Sequence, residues 1–199
     1  MKTLKYFSIL IATVSFLAAN AVKRPNVILI LTDDLGYSDV SCYRKDHKSL
    51  YDRPSTSETP HIDKLAENGM RFTDFYSGAA VCSPSRSALL TGRNCTRVGI
   101  YNWIPNNQPM HLRAEEITLA EVLKKAGYNT GHFGKWHLTS EGMNQPLPMD
   151  QGFDYAFYTY NNAIPSHHNP ENFFRNGKAE GDMKGYASHL VADAAIEWL

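Results

Sequence analysis

Asn26-Val27-Ile28-Leu29-Ile30-Leu31, followed at once by Thr32-Asp33-Asp34-Leu35-Gly36, is the stretch that decides the fold class. After Pro25 the run is apolar with no polar alternation. That pattern suits a strand covered on both faces, as in a parallel sheet. Two carboxylates then stand just past its C-terminal end, the edge at which open α/β sheets bind ligands.

Working outward, helices and strands alternate. Residues 42–57 are polar and irregular and read as a surface loop. Thr59-Pro60 opens a helix, with Thr as N-cap and Pro at the first helical position. Ile62, Leu65 and Ala66 give it one apolar stripe and Gly69 ends it. Met70 to Phe75 reads as a second strand. A helix is expected from Pro84 to Thr91, with Ser83 as N-cap, Cys82 immediately before it and Gly92 as terminator. Another is expected from Leu119 to Ala126, where Thr118 and Glu121 form a capping box and Gly127 closes the turn. Tyr128 to Phe133 follows as a strand. Gly142 to Gly185 is rich in Pro, Asn, Gly and aromatics, which suggests a binding-loop region or a small hairpin. Ala187 to Leu199 is helical, with Leu190, Val191, Ala194, Ala195 and Trp198 on one side.

Composition sets the outer limits. The 199 residues carry 20 basic and 20 acidic side chains and are 43% apolar and 12% aromatic. This is a globular composition, and zero formal charge leaves no electrostatic footprint for nucleic acid. Three cysteines make neither a disulfide scaffold nor a zinc set. Residues 1–21 read as a secretory signal peptide. Lys2 and Lys5 form a basic start, Phe7 to Leu17 a short apolar run, and Ala19-Asn20-Ala21 a small-x-small cleavage site. The run is too short to span a bilayer comfortably, with an uncleaved N-terminal anchor as the plain alternative, so the remaining chain, 22–199, is expected to be exported (periplasmic, extracellular or, in a eukaryotic host, lysosomal).

The stretch richest in chemistry is Ala80-Val81-Cys82-Ser83-Pro84-Ser85-Arg86-Ser87-Ala88-Leu89-Leu90-Thr91-Gly92. Cys82 at a helix N-terminus faces an anion-attracting dipole, and Arg86, one turn on, can hold a charged group beside it. The same residues also suit a buried small side chain ahead of an ordinary capped helix.

Cys82-Ser83-Pro84-Ser85-Arg86 followed by Leu89-Leu90-Thr91-Gly92 resembles the signature of the sulfatase family, in which the cysteine is oxidised to formylglycine. Gly127-Tyr128-Asn129-Thr130-Gly131-His132-Phe133-Gly134-Lys135-Trp136-His137 resembles that family's second signature and departs from it at Phe133, where a smaller residue is usual. Asn26 to Gly36 resembles the family's first strand and metal-binding turn, and Gln151-Gly152-Phe153-Asp154 extends the likeness weakly. The resemblance implies an α/β fold of the alkaline phosphatase superfamily: a mostly parallel mixed sheet flanked by helices on both faces. Residues 22–199 would be the N-terminal part of an arylsulfatase-like catalytic domain, incomplete at its C-terminus.

The resemblance also implies roles. Asp33, Asp34 and the modified Cys82 would bind a divalent cation. Hard carboxylates suit Ca²⁺, with Mg²⁺ the second choice, although an Asp-Asp pair alone is equally the chemistry of a turn. As formylglycine hydrate, residue 82 carries two hydroxyls on one carbon. One attacks sulfur and the alcohol leaves; a proton lost from the other then expels sulfate and restores the aldehyde. Arg86 would pair with the formylglycine oxygen and the metal-side carboxylates. Lys135 would bind sulfate oxygens as a point charge, and His137 would take the hydrate's proton. For Lys135 and His137 a surface pair flanking a packed Trp136 is the plain alternative. The family completes its cation site with an Asp and an Asn or His further along the chain, so this chain alone is expected to be inactive or nearly so. Implied partners are a sulfated small molecule or glycan and, during maturation, a formylglycine-generating enzyme.

Other features weigh less. His132 reads as a strand residue. His167, His168, Asn161 and Asn162 lie where sulfatases shape the leaving-group pocket, and Tyr101, Trp103 and Tyr160 suit either a sugar platform or aromatic packing. Asn94-Cys95-Thr96 is a glycosylation acceptor pattern in a host that glycosylates secreted proteins. Cys42 and Cys95 remain as a possible pair. Two other functions stay open: a phosphomonoester or phosphonate hydrolase on the same architecture, and a non-catalytic binder of sulfated glycans.

Overall fold

The computed structural model describes residues 24–44 and 57–199; the signal-peptide reading of residues 1–21 and most of the loop expected at 42–57 lie outside them. The chain divides into two compact units, Met1–Gly69 and Met70–Leu199.

In the first unit, residues 24–32 have no regular secondary structure, and the apolar side chains are exposed, Ile28 at 67% and Ile30 at 74%. The expected strand over Asn26–Leu31 is therefore not formed. A strand has no hydrogen bonds of its own and exists only through a neighbour, and among the described residues none pairs with this run. A turn at Asp33-Asp34 follows, with Asp34 in the left-handed region at φ 55°. Two short 3₁₀ turns, Tyr37–Asp39 and Ser41–Tyr43, lead to helix α1, Pro60–Asn68. Pro60 starts α1 as expected, but Thr59 does not cap it: its hydroxyl donates to Asp63 Oδ1 at 3.0 Å and meets the Ser41 hydroxyl at 2.8 Å.

The second unit is built on a four-stranded mixed sheet. Its strands are β1 (Gly131–Lys135), β2 (Tyr155–Thr159), β3 (Phe174–Arg175) and β4 (Lys178–Ala179), in the order β1-β2-β3-β4. β1 and β2 are parallel, in register from Gly131 opposite Tyr155 to Lys135 opposite Thr159. β2–β3 and β3–β4 are antiparallel. The sequence from Gly142 to Gly185, which reads as irregular, thus holds a central strand and a hairpin. Tyr155–Thr159 is wholly apolar or aromatic apart from its last residue. Such a run lacks the alternation that marks a strand, because it is covered on both faces. The strand expected at 128–133 begins later, at Gly131, and Met70–Phe75 forms none; Phe72 and Phe75 are exposed.

Helices lie on both faces. On one, α5 (Ala187–Trp198) sets Leu190, Val191 and Ala194 against Phe133, Phe157 and Phe173, with the last two rings stacked at 4.7 Å. On the other, α2 (Cys82–Thr91) and α3 (Cys95–Val98) bring Leu90 and Val98 onto a core of Ile100, Ile104, Leu112, Trp136, Leu138 and Tyr158. Each large side chain buried there contributes about 1.5–3 kcal/mol. Helix α4 (Leu119–Lys125) carries the expected capping box: Thr118 Oγ1 accepts from Glu121 N–H at 3.2 Å, and Thr118 N–H donates to Glu121 Oε2 at 2.7 Å. Its C-terminal Lys124 pairs with Asp154 at 2.5 Å, just before β2. Among the described residues no helix is long and apolar enough to cross a membrane.

Candidate active site

The site of the second unit is assembled where α2 begins and where β1 and β2 end. Val81, extended at φ −123°, is the N-cap of α2, so Cys82 is its first helical residue rather than the one before it. Ser83 does not cap the helix. It is fully buried one position further in, and its Oγ accepts from the Ile104 N–H at 3.1 Å. Pro84 is tolerated because first-turn N–H groups have no partner within the helix. Cys82 is half-buried at the positive end of the helix dipole, and neither it nor Cys42 nor Cys95 is in a disulfide.

Arg86, one turn along α2 and 9% exposed, donates from Nη1 to the Lys135 carbonyl at 2.6 Å. This bond ties the helix start to the last residue of β1. Lys135 points its ammonium to Asn162 Oδ1 at 3.1 Å. The parallel ladder continues beyond the strands, with Trp136 N–H to Thr159 O at 2.9 Å and His137 N–H to Tyr160 O at 2.8 Å. Asn162 is held in turn: its carbonyl accepts from Asn172 Nδ2 at 2.9 Å, and Asn172 Oδ1 accepts from Ile164 N–H at 2.9 Å.

His137 is 2% exposed and left-handed at φ 51°, a conformation that costs a non-glycine residue about 1–3 kcal/mol. Its Nε2 lies 3.0 Å from the Ile104 carbonyl. A carbonyl only accepts, so Nε2 carries the hydrogen, and in the neutral ring Nδ1 holds the lone pair. Trp103, half-exposed, lies beside it with ring centroids 6.5 Å apart. The plain alternative for His137, a surface residue beside a packed tryptophan, is excluded by its burial.

His132 faces the core, edge-on to Trp136 at 5.2 Å and tilted on Phe153 at 5.3 Å. Burial, and then the nearby Arg86 charge, lower its pKa to about 4, partly offset by the hydrogen bond the ring donates to the Gly134 backbone, so it is a neutral packing residue. Tyr160 packs on Tyr158 and Phe174, whereas Tyr101 and Trp103 stay accessible.

Thus hydrogen bonds join Arg86 to Lys135 and Lys135 to Asn162, and a second set joins Ser83 to Ile104 and Ile104 to His137, while Cys82 stands beside Ser83 at the start of α2. Asp33 and Asp34 lie in the first unit. Their adjacent hard carboxylates fit Ca²⁺ or Mg²⁺ chemically, but two residues under-fill an ion that takes about six to eight oxygens. Among the described residues, no three His, Cys, Asp or Glu side chains are gathered to hold a metal. Sequence reasoning missed Ile104 because its contribution is made by backbone atoms, which leave no mark on residue type.

A helix that opens on a cysteine and carries a buried arginine thus meets, at the ends of two parallel strands, a lysine and an oriented imidazole, the end of an α/β sheet at which ligands commonly bind. The chain belongs to the sulfatase family, whose sequence model, Sulfatase, matches residues 25–199. It is 46% identical over 148 residues to human Arylsulfatase A, covering 73% of this chain and 27% of that protein. It is 41% identical over 148 residues to Arylsulfatase G of Rattus norvegicus, covering 74% of this chain and 26% of that protein. The chain therefore spans about a quarter of the length of these relatives. Among solved structures, that of Ps i-CgsB superposes with TM-score 0.73 at 28% identity, over 88% of this chain and 41% of that one. BT4656, in complex with its substrate D-glucosamine-2-N,6-O-disulfate, superposes with TM-score 0.66 at 30% identity, over 88% and 31%.

Proposed function

We propose that the protein hydrolyses a sulfate ester, with Cys82 converted to formylglycine and a divalent cation, Ca²⁺ before Mg²⁺, held by Asp33, Asp34 and residue 82. The observation that carries this reading is the Arg86–Lys135 bond in a chain of the sulfatase family. It sets a cysteine-led helix N-terminus and Lys135 at the same sheet edge, which supports the reading of that ammonium as a sulfate-binding group.

The formylglycine, when present, supplies a hydrated aldehyde able to attack sulfur, and the cation supplies Lewis acidity. The chain's own residues do the rest. The α2 N-terminus and Arg86 favour negative charge at residue 82. The Lys135 ammonium, steadied by Asn162, binds sulfate oxygens and offsets charge as the S–O bond breaks. His137, with Nε2–H given to Ile104 O, presents Nδ1 as the proton acceptor in its neutral form. The exposed Trp103 beside it offers an apolar face to a sugar ring, which, with the sulfated sugar bound by BT4656, favours a sulfated carbohydrate as substrate. Export follows from the reading of residues 1–21. Maturation would require a formylglycine-generating enzyme as partner. Asp33, Asp34 and residue 82 supply fewer oxygens than the about six to eight that Ca²⁺ takes, and the chain spans about a quarter of the length of its curated relatives, so turnover is to be measured on the full-length protein.

The test is made on full-length protein produced with a formylglycine-generating enzyme. A mass spectrum of the peptide spanning Cys82 should show the aldehyde. Aryl sulfate turnover should fall on chelation and return with Ca²⁺. Faster turnover of aryl phosphate would favour the phosphoester alternative; an intact thiol with glycan affinity and no sulfate release would favour the binding alternative.

A further inference from the structure

His137 owes its orientation to a backbone group outside both family-like stretches, and that group is held by a side chain inside one of them. Ser83 is fully buried in the first turn of α2, and its Oγ accepts from the Ile104 N–H at 3.1 Å. The carbonyl of the same residue receives His137 Nε2 at 3.0 Å. Ile104 is itself buried, and Pro105, which follows it, has its carbonyl bonded by Ser140 Oγ at 2.9 Å. The Ile104 segment is thus anchored from the helix on one side and from the loop after β1 on the other.

We infer that Ser83 is a positioning residue: by gripping the Ile104 N–H it holds the Ile104 carbonyl against His137 and so selects the Nε2–H tautomer, leaving Nδ1 as the basic nitrogen. A neutral imidazole has two tautomers, and the hydrogen bond at one nitrogen decides which carries the proton. Serine suits the place because a hydroxyl accepts from an N–H while fitting the space beside a helix backbone. Alanine has no acceptor and leaves the Ile104 N–H unmet; threonine retains one. The tautomer assignment stands on the hydrogen bonds alone, whereas its consequence for turnover rests on the sulfatase reading.

The experiment reads the His137 ring nitrogens by long-range ¹H–¹⁵N NMR in the full chain, at about pH 8, above the ordinary imidazole pKa of about 6.5. Wild type, Ser83→Ala and Ser83→Thr are compared. The expected wild-type spectrum is that of the Nε2–H form. Ser83→Ala should mix in the Nδ1–H form, and Ser83→Thr should restore the wild-type pattern. In full-length protein shown by mass spectrometry to carry formylglycine, Ser83→Ala should lower kcat about tenfold with KM within twofold, and Ser83→Thr should recover it. An Nδ1–H wild type, which is readable even if Ser83→Ala does not fold, overturns the inference. So does an unchanged spectrum in a folded Ser83→Ala. Neither result touches the sulfatase reading, which fails instead if wild type releases no sulfate.

Discussion

Arg86 and Lys135, 49 residues apart in the chain, are joined by a 2.6 Å hydrogen bond from the guanidinium of one to the main-chain carbonyl of the other. The side chain of Lys135 is left to reach Asn162, so one residue closes the site with its backbone and offers its ammonium forward.

Breaking that bond should cost both stability and activity. In Arg86→Met a nearly buried donor is lost and the Lys135 carbonyl loses this partner. Unfolding in urea should show a loss of about 1–3 kcal/mol. Arg86→Lys is expected to rescue little of it, because an ammonium cannot reproduce the planar fork of a guanidinium. An unchanged midpoint in both variants would remove Arg86 from its structural role.

Cys82→Ser separates the two halves of the proposed reaction. A serine hydroxyl can attack sulfur and release the alcohol but has no second hydroxyl with which to expel sulfate. A single burst of alcohol, stoichiometric with enzyme, and a sulfated peptide spanning residue 82 are the expected signs. Sustained turnover would argue that the aldehyde is dispensable.

If Lys135 binds sulfate as proposed, its contact with Asn162 should tune substrate binding. Asn162→Asp sets a carboxylate on the ammonium and another negative charge near the incoming sulfate. Steady-state kinetics should show KM rising about tenfold, roughly 1.4 kcal/mol, with the penalty shrinking as salt is raised. A KM insensitive to this charge would place the sulfate elsewhere.

His132 makes folding acid-sensitive. Its folded pKa of about 4 lies below the ordinary 6.5, so the unfolded chain binds the extra proton. Stability should therefore be full above about pH 6.5 and fall as pH drops towards 4, by at most about 3 kcal/mol. Denaturant midpoints across that range, compared with His132→Phe, should show a shallower acid slope in the variant; parallel slopes would refute the assignment.

Gly152 and Gly181 distinguish crowding from conformational cost. Both have positive φ, but a Cβ at Gly152 would meet Glu121 N at 2.6 Å and Glu121 Cγ at 2.5 Å, whereas one at Gly181 meets nothing within 4 Å. Gly152→Ala should cost about 2–4 kcal/mol by pushing on the capping residue of α4. Gly181→Ala should cost about 1 kcal/mol. Thermal melts of the two variants test the difference.

Local signals in the sequence already determined much of this molecule. Thr118 and Glu121 announce the start of α4, Gly92 ends α2, and the residues proposed to carry the chemistry, at 33, 34, 82, 86, 135 and 137, stand in short motifs, because caps and motifs are written within a few positions of one another. Strands were less legible. Asn26–Leu31 has the composition of a buried strand and forms none here, while Tyr155–Thr159 forms one inside an apparently irregular stretch, since a strand is made by its neighbours and not by its own residues.

Tertiary structure alone decided that Ser83 is an interior acceptor instead of a cap, that Ile104 links it to His137 across separations of 21 and 33 residues, and that the imidazole is protonated on Nε2. Those links run through main-chain N–H and C=O groups, which every residue possesses. Only the folded path of the chain brings particular ones within reach of each other.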